Sequence, residues 1–116
     1  MLPDKYGKMV DLLYEKTMAD ELRWEKSPYD DRFQVSFRKY SITIYLVQTG
    51  SRLIIKITIV NEEGREIDDF SNEHILPESI GYKDPFEVMS DMYEKARRQA
   101  NGVDEAIDDI LGDLEK

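Results

Sequence analysis

The sequence predicts an α+β domain: an N-terminal helix, an antiparallel four- to five-stranded β-meander, and two C-terminal helices packed on one face. Three observations carry this prediction. Apolar residues recur at helical spacing before residue 20 and again after residue 84. Between Leu22 and Ile67 they alternate with polar residues at period two. Turn residues punctuate that middle region, at Ser27-Pro28-Tyr29-Asp30, Thr49-Gly50 and Asn61-Glu62-Glu63-Gly64. With 116 residues and no linker or repeat, residues 1–116 read as a single domain, large enough to bury a core without staples.

The first helix covers roughly residues 3–19. Tyr6, Met9, Val10, Leu13, Thr17 and Met18 form its apolar face, and Pro3 suits its first turn. In the meander, Leu22 and Trp24, then Phe33, Val35 and Phe37, then Tyr40, Ile42, Ile44 and Leu46, then Leu53, Ile55, Ile57 and Ile59 point to a common face. Ile67 marks a short fifth strand. A two-residue loop at Thr49-Gly50 sets Leu46 opposite Leu53, Ile44 opposite Ile55 and Ile42 opposite Ile57. A two-residue turn at Arg38-Lys39 sets Val35 opposite Ile42 and Phe33 opposite Ile44. A four-residue loop at 27–30 sets Trp24 opposite Phe33, and a turn with Gly64 left-handed sets Ile59 opposite Ile67.

Asp84-Pro85-Phe86-Glu87 begins the second helix, with an N-cap, a proline at the first helical position and a glutamate at the third. Phe86, Met89, Tyr93, Ala96 and Ala100 are its apolar stripe, and Asn101-Gly102 stops it. A last helix from about Asp104 carries Val103, Ala106, Ile107, Ile110, Leu111 and Leu114 on one side. A stripe that apolar predicts docking on the parent domain, with Asp108, Asp109 and Asp113 facing outward. Lys95, Arg97 and Arg98 before the junction and Asp104 and Glu105 after it suit the dipoles of the two helix ends. The i,i+4 pairs Asp91–Lys95 and Glu94–Arg98 are expected to add support.

The net charge of −9 is unevenly placed: +2 over residues 1–61, −8 over 62–91, +2 over 92–100 and −5 over 101–116. Such a balance disfavours direct binding to nucleic acid or anionic membrane, which needs clustered cations, and it permits a basic protein partner. The absence of cysteine excludes disulfides, thiolate metal sites and thiol catalysis. No apolar run approaches the ~20 residues of a membrane span. Met1-Leu2-Pro3-Asp4-Lys5 lacks the cationic-then-apolar pattern of a secretion signal, so a cytoplasmic location is expected.

Catalytic chemistry finds few candidates. His74 is the one histidine and sits in an exposed-looking connection, Ser71-Asn72-Glu73-His74. Glu87, Asp91 and Glu94 share a helix face with a spacing that could serve Mg²⁺ between two helices, as in helical nucleotide pyrophosphohydrolases. The second carboxylate set on a facing helix is not evident, and cations lie near. Asp104, Glu105, Asp108 and Asp109 read alike and more weakly. Asp30-Asp31 and Asp68-Asp69 lack calcium-loop spacing. No phosphate-binding loop, nucleophile elbow or redox motif occurs. Trp24 reads as core rather than as a ligand platform. On the reverse face of the long hairpin, Tyr45, Val47, Ile54 and Val60 form a second apolar strip, with Tyr45 expected to face Ile54. This strip is covered either by the first helix or by another chain.

The stretch Ala96-Arg97-Arg98-Gln99-Ala100-Asn101-Gly102-Val103-Asp104, taken with Trp24, Phe33-Gln34-Val35-Ser36-Phe37 and the Asn61-Glu62-Glu63-Gly64 turn, resembles a group of small prokaryotic proteins. They share a helix, a β-meander and a tail reading like A-R-R-Q-A-x-G-V-D. The resemblance covers most of the length and implies the fold outline. That group has no established activity, so the resemblance implies no catalytic residues. The element order is also similar to that of small acidic phage-encoded nuclease inhibitors, a likeness of fold alone.

The function expected from these observations is a non-enzymatic protein–protein interaction module, homodimeric or bound to a basic partner, with no cofactor or metal. The alternative is an acidic inhibitor or nucleic-acid mimic occupying the basic groove of a partner such as a nuclease. The expected interaction surface comprises Tyr45, Val47, Ile54 and Val60 on the sheet and Asp108, Asp109 and Asp113 on the last helix.

Overall fold

A computed structural model describes residues 3–116; Met1 and Leu2, read above for a secretion signal, lie outside the described residues. The chain runs through helix α1 (Asp4–Met18), strands β1 (Glu25–Lys26), β2 (Arg32–Ser36), β3 (Ser41–Thr49), β4 (Arg52–Val60) and β5 (Glu66–Ser71), then helices α2 (Pro85–Asn101) and α3 (Val103–Leu114). Two 3₁₀ turns, Asn72–His74 and Pro77–Ile80, join β5 to α2. The strands form one antiparallel sheet in the order β1-β2-β3-β4-β5, so the α+β meander is as the sequence predicts.

α1 and α2 pack together on one face of this sheet, over Phe33, Val35, Ile42, Ile44, Ile55, Ile57 and Phe70. α2 touches both the sheet and α1, so its buried face is wider than a single stripe and takes in Val88 and Met92 as well as Met89 and Ala96. Asp84 caps it by accepting from the Phe86 N–H at 3.1 Å. Trp24, 1% exposed, ties three elements together: its indole Nε1–H donates to Thr17 Oγ1 of α1 at 3.0 Å, and its backbone N–H donates to Gln99 Oε1 of α2 at 3.2 Å.

The strand registers agree with expectation in one hairpin and differ in three. Arg38-Lys39 is a two-residue turn closed by Phe37 N–H donating to Tyr40 O at 2.8 Å, and Val35–Ile42 and Phe33–Ile44 pair as predicted. In β3–β4 the loop is Gly50-Ser51, not Thr49-Gly50, because Gly50 takes the positive φ of +62° at the first loop position. The pairs are therefore Leu46–Ile55, Ile44–Ile57 and Ile42–Ile59. The turn before β2 spans residues 27–31, with Asp31 left-handed at φ +59°, so Lys26 rather than Trp24 lies opposite Phe33. In β4–β5 a bulge makes Ile67 the extra residue, Ile59 meets Asp68, and Phe70 takes the core place opposite Ile57.

α3 departs from expectation. None of its residues is buried, and the element it packs against is α2. It projects, and the molecule measures 56 Å along its long axis against 34 and 31 Å across. The cations at the junction are also used differently: Lys95 reaches Asp20 of the α1–β1 loop at 3.0 Å, Arg97 pairs with Glu94 at 2.6 Å, and Arg98 pairs with Asp104 across Gly102.

Candidate interaction surfaces

The apolar strip expected on the reverse face of the sheet is divided. Val47 pairs with Ile54 near the hairpin tip, Val60 pairs with Ser41 at the other end, and all three valine and isoleucine side chains are half-buried. Tyr45 faces Lys56, not Ile54, because of the register difference. Its ring is 8% exposed and is covered by its own chain: the Arg32 guanidinium lies 3.9 Å from the ring centroid, and the hydroxyl shares a hydrogen bond with Thr58 Oγ1 at 3.2 Å. Lys56 in turn pairs with Asp69 at 3.1 Å. The middle of this face is thus closed by polar and cation–π contacts.

On α3 the situation is the reverse. Ile107 is 44% exposed, Ile110 55%, Leu111 46% and Leu114 74%, one continuous stripe open to solvent. Asp108 and Asp113 are exposed on either side of it and Asp109 on the opposite face, and Lys116 approaches Asp113 at 3.7 Å. The acids lie at the surface, and the stripe, expected to dock on the parent domain, shares their exposure.

A second open apolar surface was not foreseen. Between α1 and the β2–β3 end of the sheet lies a cleft of about 420 Å³, lined by Met9, Leu12, Leu13, Lys16, Leu22, Phe37, Tyr40, Ile42 and Ile59. Leu12, Phe37 and Tyr40 at its mouth are each between 46% and 48% exposed. Phe37 and Tyr40 flank the two-residue turn and so are carried past the cover of the helices. Their alternation with Val35 and Ile42 marks them as belonging to the core face; only the helix positions show that the cover stops short. Next to the cleft, Tyr6 donates to Asp68, which holds the Tyr6 phenol above its ordinary pKa.

Several titratable side chains elsewhere have structural partners. His74 is exposed, and its Nδ1 accepts from the Ser71 N–H at 3.0 Å in a small capping arrangement. Lys95 beside Asp20 lowers that carboxyl's pKa, and Arg97 does the same for Glu94, so each carboxylate stays charged and paired. Among the described residues no group of three His, Cys, Asp or Glu side chains is arranged to hold a metal ion, Glu87, Asp91 and Glu94 included. Among them, too, no helix is long and apolar enough to cross a membrane.

Comparison with protein-family models, with curated proteins and with solved structures gives no match to this chain. Function is therefore read from its surfaces alone.

Proposed function

We propose that this chain is a non-enzymatic protein–protein interaction module whose recognition element is the projecting helix α3. The observation that carries this reading is the solvent-open stripe of Ile107, Ile110, Leu111 and Leu114 on a helix with no buried residue. A helix of about a dozen residues is marginal in water by itself, and its stripe has the i, i+3, i+4, i+7 pattern with which amphipathic helices seat in grooves. Exposed apolar residues in one row mark an interaction surface more often than scattered ones do. The acids alongside would steer the helix toward a basic rim and make the association salt-sensitive.

The test compares the full chain with a variant carrying Ile107→Ser, Ile110→Ser and Leu111→Ser, each immobilised and exposed to native lysate. Proteins retained by the wild type and lost from the variant are the expected result. Identical retention, or none, would remove α3 as the recognition element.

A second reading keeps the same helix and gives the leading role to its charge. Asp108 and Asp109 are exposed within a segment of net charge −5 (residues 101–116), which favours an acidic inhibitor or nucleic-acid mimic seated in a basic groove. Replacing Asp108, Asp109 and Asp113 by Asn distinguishes the two readings. It abolishes retention if charge dominates and only weakens it if the apolar stripe does.

A further inference from the structure

We infer that the groove receiving α3 is the apolar cleft between α1 and the β2–β3 turn on a second copy of this chain, giving a dimer in which two arms are exchanged. This rests on the reading of α3 as a recognition element and adds the identity of its receptor.

Two open apolar surfaces occur on the same molecule. One is a convex row of four aliphatic side chains on a helix; the other is a cleft of about 420 Å³ whose lining is apolar apart from Lys16. A small-molecule site ordinarily carries several polar groups that orient its ligand, and this lining offers almost none. It suits aliphatic side chains.

Charge selects the same pairing. The arm belongs to the segment of net charge −5. Cations lie around the cleft: Lys16 belongs to its lining, Arg38 and Lys39 form the exposed turn between its Phe37 and Tyr40, and Lys5 and Lys8 are exposed on α1 one turn before its Met9 and Leu12. Of these, Lys16 approaches Glu21 at 3.7 Å, and the other four form no ion pair among the described residues. Asp108 and Asp113, which flank the stripe on either side, would meet these cations at the rim of the cleft, whereas a basic partner helix would be repelled.

The arm is held off its own body. A single left-handed residue, Gly102, joins α2 to α3, and the Arg98–Asp104 pair spans it. Exchange between two copies lets each arm fill the other's cleft. The contact then closes on itself with two-fold symmetry and is made twice over.

Sedimentation of the purified full chain across a wide concentration range tests this. The wild type should form a dimer that weakens as salt is raised. Two variants should each be monomeric at concentrations where the wild type is dimeric: Ile107→Ser with Leu111→Ser on the arm, and Leu12→Glu with Phe37→Glu at the cleft mouth. Mixing the two variants should restore a heterodimer, because one retains a sound cleft and the other a sound arm. That complementation also guards against a variant that has merely misfolded. A wild type that stays monomeric throughout would overturn the inference, as would a dimer untouched by both variants. A monomeric wild type that nevertheless retains lysate proteins through α3 would discard this receptor and leave the interaction reading standing. Failure of both experiments would discard the two together.

Discussion

Ile55→Asp should abolish folding. Ile55 is fully buried in β4, opposite Leu46, with its backbone N–H donating to Asn72 Oδ1 at 2.8 Å. Truncating a buried isoleucine to alanine costs about 2–5 kcal/mol. A carboxylate adds the cost of an uncompensated charge, or of a neutral acid without partners, among Ile44, Ile57 and the helix residues packed above. The combined loss rivals the total stability of a domain, about 5–15 kcal/mol. Urea unfolding followed by circular dichroism should show no cooperative transition. Ile55→Val, by contrast, should cost about 0.5–1.5 kcal/mol and keep a sharp one. A cooperative transition in the aspartate variant would mean that this side chain is not central to the core.

Alanine at Gly7 and alanine at Gly112 should have opposite effects, although both glycines lie inside helices. Helix propensity alone predicts stabilisation by up to about 1 kcal/mol at each. At Gly112, in α3, an added Cβ has nothing within 4 Å, so that gain should appear as more helix in the arm. At Gly7, in α1, the added Cβ would run into Ser79 Oγ and lie 2.5 Å from Ser79 Cβ. Ser79 has little freedom to retreat, since its hydroxyl donates to Leu76 O at 2.7 Å within the 3₁₀ turn against which α1 packs. Pushing α1 away from that turn should cost about 1–3 kcal/mol, as overpacking does. The melting temperature should therefore fall for Gly7→Ala. A rise there would show that the approach of α1 to the Pro77–Ile80 turn is looser than this geometry.

Much of the fold was legible in the sequence because its pattern has a physical period. Period two from Leu22 onward placed Phe33, Val35, Ile42, Ile44, Ile55 and Ile57 on one face, and all six are buried. The same period explains the register differences. A two-residue shift leaves every apolar side chain on its own face, so the hydrophobic pattern cannot tell Leu46–Leu53 from the observed Leu46–Ile55. Backbone conformation decided between them, through left-handed Gly50 and Asp31, and the bulge at Ile67 altered the count on β5. Phe70, Ile75 and Ile80 are core residues that follow no regular period, since they come from the end of a strand, the residue after one 3₁₀ turn and the end of another. They were accordingly missed. The candidate surfaces were harder to read. Amphipathicity states that α3 has an apolar side without stating what meets it. Likewise, the alternation that assigned Phe37 and Tyr40 to the core face does not say where helix cover ends. Tyr45 was assigned to an open apolar strip although the β2–β3 register, read correctly, already sets Arg32 opposite it; apolar pattern alone does not show that a guanidinium covers the ring.

The central claim is that α3 is a projecting arm and not part of the folded body. The most direct measurement is the melting temperature of the full chain and of a chain ending at Gly102, followed as protein concentration is lowered. Without buried residues in α3, the two should coincide at the dilute limit. The full chain should gain stability with concentration as arms engage clefts, and the shortened chain should not. A shortened chain that melts well below the full one at every concentration would contradict the account, because it would mean that the Ile107, Ile110, Leu111 and Leu114 stripe docks on its own domain.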